Sequence, residues 1–176
     1  MWWPRKTLAP LLVLALAACG FRPMYGVHSV DPQVAEQLAS IAVPPLADRT
    51  GQLLHTALLE QLNPHGEPAK ARYVLSVSVT YTDSQEALLR DNTASRNLVN
   101  YVAYYTLSDQ GTRVAAGSVH KQLSYDFLPQ HYADISAQED VQKRAAQVTA
   151  EEIRNDLSAY FIRAAEAAQG RFDQTP

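Results

Sequence analysis

The chain has 176 residues, of which 47% are apolar, and carries 15 Lys+Arg against 18 Asp+Glu, a formal charge of −3. That suits one folded domain able to build a core without metals or disulfides. A single cysteine excludes an internal disulfide framework, a cysteine-rich zinc site and a CxxC redox motif. No basic block offers an electrostatic footprint for duplex nucleic acid, and nucleic acid is not expected as a partner.

Residues 1–18 and Cys19 read MWWPRKTLAPLLVLALAAC: Arg5 and Lys6, an apolar run from Leu8 to Ala18 broken by Pro10, then small residues. This is the three-part pattern of a secretory signal, and the run is too short for a spanning helix, which needs about 20 apolar residues. Leu16-Ala17-Ala18-Cys19 resembles the bacterial lipobox, in which cleavage before the cysteine leaves it as an acylated N-terminus. An ordinary small-residue site at Ala15-Leu16-Ala17 is the alternative. On the lipobox reading, residues 1–18 are removed, Cys19 carries the lipid, and several buried acyl chains, at about 0.8 kcal/mol per methylene, tether a body that folds in water. Gly20 follows the cysteine. In bacterial lipoproteins the absence of Asp there favours sorting to the outer membrane.

From Cys19 to about Ser40 the chain is punctuated by Pro23, Gly26 and Pro32 and reads as a lipidated lead-in without regular structure. Ile41-Ala42-Val43 is a short strand that Pro44-Pro45 must end. A helix follows, capped by Asp48 or Thr50, with Leu54, Ala57, Leu58 and Leu62 on one face and a stop at Asn63-Pro64-His65-Gly66. Tyr73, Leu75, Val77, Val79 and Tyr81 then alternate with Ser76, Ser78, Thr80 and Thr82, the period of a half-buried strand. Leu98 to Leu107 and Val114 to Tyr125 give two further strands, separated by a turn at Asp109-Gln110-Gly111. Asp91-Asn92-Thr93 has the best turn chemistry for the first reversal, which makes the first hairpin long and projecting.

Ser136 to Glu139 has the spacing of a capping box. Val141, Ala145, Val148, Ile153, Leu157, Phe161, Ala164 and Ala168 continue as an apolar stripe toward Gly170. This helix would run about 30 residues, roughly 45–50 Å, and either bend near Thr149 or break. The expected fold class is therefore α+β: a two-layer sandwich with two helices packed on one face of a four-stranded mixed sheet. The domain is expected over residues 41–169, with 170–176 as a frayed tail.

Chemistry is not written in the chain. It has no G-x-S-x-G elbow, P-loop or G-x-G-x-x-G. His28, His55, His65, His120 and His131 show no ligand spacing, and the acidic pairs Glu139-Asp140 and Glu151-Glu152 read as solvated helix faces. No enzymatic activity, metal or cofactor is expected. Two features remain. Tyr81, Tyr101, Tyr104, Tyr105 and Tyr125 are too many for one apolar face, and adjacent Tyr104 and Tyr105 must point to opposite faces. Tyrosines on the sheet face away from the helices suit a contact surface, although they also stabilise exposed strands by pairing. Ser78 and Thr80 share that outward face and with Tyr104 are the candidate partner contacts. Arg90 and Arg96 flank the proposed hairpin turn, where they are either a phosphate grip or ordinary solvated charges.

Cys19-Gly20-Phe21-Arg22-Pro23-Met24-Tyr25-Gly26 resembles the opening of the LPS-assembly lipoproteins, the LptE family, in the branch whose mature proteins begin CGF-x-P-[LM]-YG. The resemblance continues through Ile41-Ala42-Val43, Asp48-Arg49-Thr50-Gly51-Gln52, the Tyr73 to Thr82 strand, Arg90 to Arg96 and the last helix. It implies two helices on a four-stranded sheet that the first strand completes, and no catalysis. It further implies a plug inside the LPS-assembly outer-membrane β-barrel LptD, help with that barrel's assembly, and binding of lipopolysaccharide on its way to the cell surface. No cofactor is implied beyond acyl chains on Cys19. The hairpin departs from the family pattern at Asn92 and Ser95, where Gly and Thr are expected, and no lysine accompanies Arg90 and Arg96. A lipoprotein subunit of another envelope lipid transporter is the competing class.

Overall fold

The computed structural model describes residues 32–88, 94–126 and 130–172. A short helix α1 (Pro32–Ala39) leads into the two-residue strand β1 (Ile41–Ala42). Helix α2 (Asp48–Leu62) comes next, then the long strands β2 (Tyr73–Leu88), β3 (Ala94–Asp109) and β4 (Thr112–Asp126), and finally α3 (His131–Phe172). The sheet order is β1-β2-β3-β4. β1 runs parallel to β2, joined through α2 as a parallel pair requires, and the other two pairs are antiparallel. Both long helices pack on one face and against each other, so the sheet is mixed and two-layered as the sequence predicts.

The alternation that specifies β2 carries through the whole sheet. Odd-numbered residues point to the helices: Tyr73 and Leu75 on β2, Val99, Tyr101, Ala103, Tyr105 and Leu107 on β3, and Val119 on β4 are all buried. Against them α2 places Leu54, Ala57, Leu58 and Leu62, and α3 places Val141, Ala145, Ile153, Leu157 and Phe161. Full burial of each such aliphatic or aromatic side chain is worth about 1.5–3 kcal/mol. The Phe161 ring lies 5.2 Å from that of Tyr73, which closes the core at the end where β1 joins.

The turn between β3 and β4 is the two-residue kind. Asp109 pairs with Thr112, and Gln110 and Gly111 both have positive φ, 48° and 86°, the combination whose twist matches a hairpin. The turn expected at Asp91 to Thr93 lies outside the described residues, although Leu88 still pairs with Ala94 at its foot.

Several local expectations need correction. Pro32–Ala39 is helical, and Val34 and Leu38 are buried; two apolar residues four apart give such a short segment one face to bury, so the part of the lead-in nearest the domain has regular structure. Ala47 occupies the N-cap of α2, with no side-chain cap, because Asp48 has φ 64°, a left-handed conformation that Asp tolerates. Ser136 and Gly170 both lie inside α3 and neither bounds it. At 42 residues, or about 63 Å, α3 is a single unbroken element that matches strands of 15–16 residues. Near its middle Thr149 and Ala150 are buried and Val148 is exposed, so the buried stripe drifts around the helix in place of a break.

Candidate partner surface

Among the described residues, nothing covers the other face of the sheet. Even-numbered residues point to it, and the strand register sets them in cross-strand rows: Ser76, Thr106 and Ala116; Ser78, Tyr104 and Ser118; Thr80, Val102 and His120; Thr82, Asn100 and Gln122; Ser84, Leu98 and Ser124. None of these residues is Asp, Glu, Lys or Arg. A face left in water normally accepts charge freely, since exposed Lys and Glu cost a strand little when neighbours have the opposite sign. Here 19% of the chain is charged, and these five rows hold none of it. Interface cores are similarly depleted of charge and enriched in aromatic side chains.

Ser78, Thr80 and Tyr104, which the sequence singles out, are brought together. Ser78 is the direct partner of Tyr104, and Thr80 sits one row along beside Val102. Tyr104 is 55% exposed and meets His120 edge-on, with ring centroids 6.3 Å apart and planes at 82°. Gln122 donates from Nε2 to Asn100 Oδ1 at 3.0 Å. The surface is thus a Ser/Thr lattice with Tyr104 as its one large anchor. Sequence reasoning missed His120, although it shares Tyr104's parity across the β3–β4 register.

The remaining tyrosines correct the expectation that five are too many for one face. Tyr101 and Tyr105 are buried on the helix side, and Tyr81 and Tyr125 are half-buried there, since odd numbering on all three strands leads to that face. Each phenol finds a polar partner in place of water. Tyr105 donates to Asp156 Oδ2 on α3 at 2.8 Å, Tyr125 to Asp83 Oδ2 at 2.7 Å, and the Tyr101 hydroxyl lies 3.5 Å from the Thr50 carbonyl. Burial pushes the Tyr101, Tyr105 and Tyr125 phenols well above their ordinary range, and the neighbouring carboxylates push Tyr105 and Tyr125 further the same way. Tyr105 reaches Asp156 by crossing β4 at Gly117, where an added Cβ would fall on the phenol ring itself. A glycine inside a strand often marks such a close approach.

Arg96 sits at the far end of β3, opposite Asp126. Its Nε approaches Asp126 Oδ1 at 3.4 Å, with both side chains more than half exposed. Such a pair is worth little to stability, and the guanidinium already has a carboxylate that a phosphate would have to join or displace. Arg90 and Cys19 lie outside the described residues. Among the described residues no group of His, Cys, Asp or Glu could hold a metal ion, and no helix is long and apolar enough to cross a membrane.

Solved structures share this architecture. A lipoprotein from Caulobacter crescentus CB15 matches with a TM-score of 0.61 at 29% identity, covering 73% of this chain and 95% of its own. Rare lipoprotein B from Shewanella oneidensis gives 0.56 at 14%, over 71% and 96%. Lipoprotein B from Nitrosomonas europaea gives 0.55 at 14%, over 72% and 85%. No curated protein matches the sequence. The family model "LptE: Lipopolysaccharide-assembly" matches residues 38–157, a span that takes in β1, α2, all three long strands and most of α3, and the chain therefore belongs to the LptE family of lipopolysaccharide-assembly proteins.

Proposed function

We propose that this protein is an outer-membrane lipoprotein, anchored through acyl chains on Cys19, that sits as a plug inside the LPS-assembly barrel LptD, helps that barrel to assemble, and binds lipopolysaccharide in transit to the cell surface. Family membership supports the role in lipopolysaccharide assembly. The observation that carries the plug reading is the sheet's bare face, with five uncharged cross-strand rows around Tyr104. An exposed surface from which charge is withheld is one prepared for desolvation against a partner. The inner wall of a barrel is itself a sheet surface of alternating side chains, and a flat Ser/Thr lattice can exchange hydrogen bonds with it. Residues 1–18 act as the cleaved signal, and Arg90 and Arg96 contribute a modest phosphate contact at the hairpin end. The role is non-catalytic: the protein positions a partner and a lipid and breaks no bond. Affinity pull-down of the tagged full chain from detergent-solubilised outer membrane tests this. Recovery of the LptD barrel in stable stoichiometry is the expected result, and recovery of an inner-membrane transport ATPase without the barrel would overturn it.

A further inference from the structure

The two edges of the sheet are finished differently. β4 carries Arg113, Lys121 and Asp126, charges of the kind that discourage another strand from pairing, and Lys121 is tied to Glu152 of α3. β2 carries charge only toward its far end, at Asp83 and Glu86, and Leu75 to Thr82 contains no charged residue. β1 covers only the start of this edge, pairing Ile41 with Tyr73 and Ala42 with Val74. Pairing stops there for a local reason. Ser40 and Ala42 turn their backbone groups to β2, and the next residue to do so is Pro44, which has no N–H to donate; the Val43 carbonyl points the other way and accepts from His55 Nε2 of α2 at 3.0 Å. The chain peels away toward α2, and no backbone hydrogen bond joins residues 43–47 to β2. Beyond Leu75, β2 therefore presents alternate N–H and C=O groups, at Val77, Val79 and Tyr81, with no strand beside them among the described residues.

A cleft of about 570 Å³ lies along this stretch, walled by Pro44–Asp48 and the first turn of α2 and floored by Ser76–Val79 and Tyr81. Its wall is held close because Gly51 has no side chain: a Cβ there would stand 2.9 Å from the Leu46 Cβ. The burial pattern marks the cleft as incomplete. Tyr73 and Leu75, beside β1, are buried, whereas Val77 and Val79, the next two on the same face, are only half-buried.

We propose that the free edge of β2 over Leu75–Tyr81 docks an extended, uncharged segment of a partner polypeptide, which continues the line of β1 as an added strand. The chemistry of the segment follows from the edge. Its backbone supplies the missing hydrogen bonds. Its residues alternate, small apolar side chains covering Val77, Val79 and Leu46 and hydroxyl side chains lying beside Ser76 and Ser78 on the open face. The inference concerns the edge of the sheet and does not depend on the barrel reading of its face.

The test uses the full chain, isotope-labelled in detergent micelles, and the probe peptide acetyl-Thr-Val-Thr-Val-Thr-Val-amide. The edge-facing amides of Val77, Val79 and Tyr81 should shift saturably and exchange more slowly with solvent on titration. The same peptide N-methylated at alternate residues keeps its side chains but cannot pair as a strand, and should bind at least about tenfold more weakly. Ala47 is exposed in the wall, and Ala47→Trp should fill the cleft and weaken binding similarly with an unchanged thermal midpoint. If that variant fails to fold, the N-methyl comparison alone decides. Four outcomes would overturn the proposal: no shift at Val77, Val79 and Tyr81, equal binding of the N-methylated peptide, these three amides already protected in the free chain, or protection that rises with protein concentration. The third would assign the edge to the chain's own segment and the fourth to a second copy.

Discussion

The two faces of the sheet share strands, register and length, and differ in what their residues must satisfy. On the covered face most positions meet a helix, so side chains are mainly large and apolar, and the hydroxyls of Tyr105 and Tyr125 are bonded to carboxylates, Asp156 and Asp83. On the bare face folding asks only for strand-compatible residues, which Thr, Val and Tyr supply. Where folding leaves the choice open, what the sequence selects is informative about something else. The covered face explains why the chain folds, and the uncharged bare face is the surface proposed to meet a partner.

Cutting into the covered face gives the largest effect. Phe161 is 1% exposed, and Phe161→Ala should cost about 3–5 kcal/mol through lost burial and a cavity. Thr80→Ala on the bare face should stay within about 0.5 kcal/mol. Urea denaturation followed by circular dichroism measures both, and similar losses would erase the distinction between the faces. Gly117→Ala comes next. The added methyl must displace the Tyr105 ring from its path to Asp156, at a cost of about 1–3 kcal/mol for such overpacking. In the Gly117→Ala, Tyr105→Leu double variant that loss should be partly recovered.

Alkali sharpens the contrast through proton linkage. Tyr101, Tyr105 and Tyr125 hold their protons more tightly folded than unfolded. Their stabilisation is therefore complete below the unfolded tyrosine value of about 10 and is lost as the pH climbs from there toward the raised folded values. Denaturation midpoints across this window should fall steeply for the native chain and less steeply for Tyr101→Phe. The smallest effect belongs to the hairpin arginines. Exposed guanidinium groups give modest contacts, so Arg90→Ala with Arg96→Ala should weaken lipopolysaccharide binding several-fold, and high salt should imitate the change. Unaltered lipopolysaccharide affinity would mark both as solvated charges.

What could be read in advance follows the same division. Tyr73 to Thr82 announced its strand and both its faces, because period-two alternation is a local property. The pair Gln110-Gly111 announced its turn for the same reason. Parity put Tyr81 on the helix side within its own strand, and carried across the register would also have put Tyr101 and Tyr125 there, yet register is a relation between strands and no single strand states it. The length of α3 was hidden because Thr149 and Ala150 carry the buried stripe where Val148 was expected to. The free edge of β2 was legible only in part: Pro44-Pro45 announced where β1 ends, but that β1 lies beside β2 and leaves the rest of its edge uncovered is a relation between strands that neither strand states. Ser78, Thr80 and Tyr104 were legible as outward-facing, and the structure added that they adjoin and that charge is absent around them.

The most direct measurement of the central claim places charge where the chain withholds it. Ser78→Glu with Thr80→Glu puts two carboxylates beside Tyr104 and Val102 without touching the covered face. The double variant should keep its far-ultraviolet circular dichroism and thermal midpoint, and tagged protein should no longer recover the LptD barrel from solubilised outer membrane. A folded double variant that recovers the barrel at native levels would contradict the account and move the interface away from the bare face.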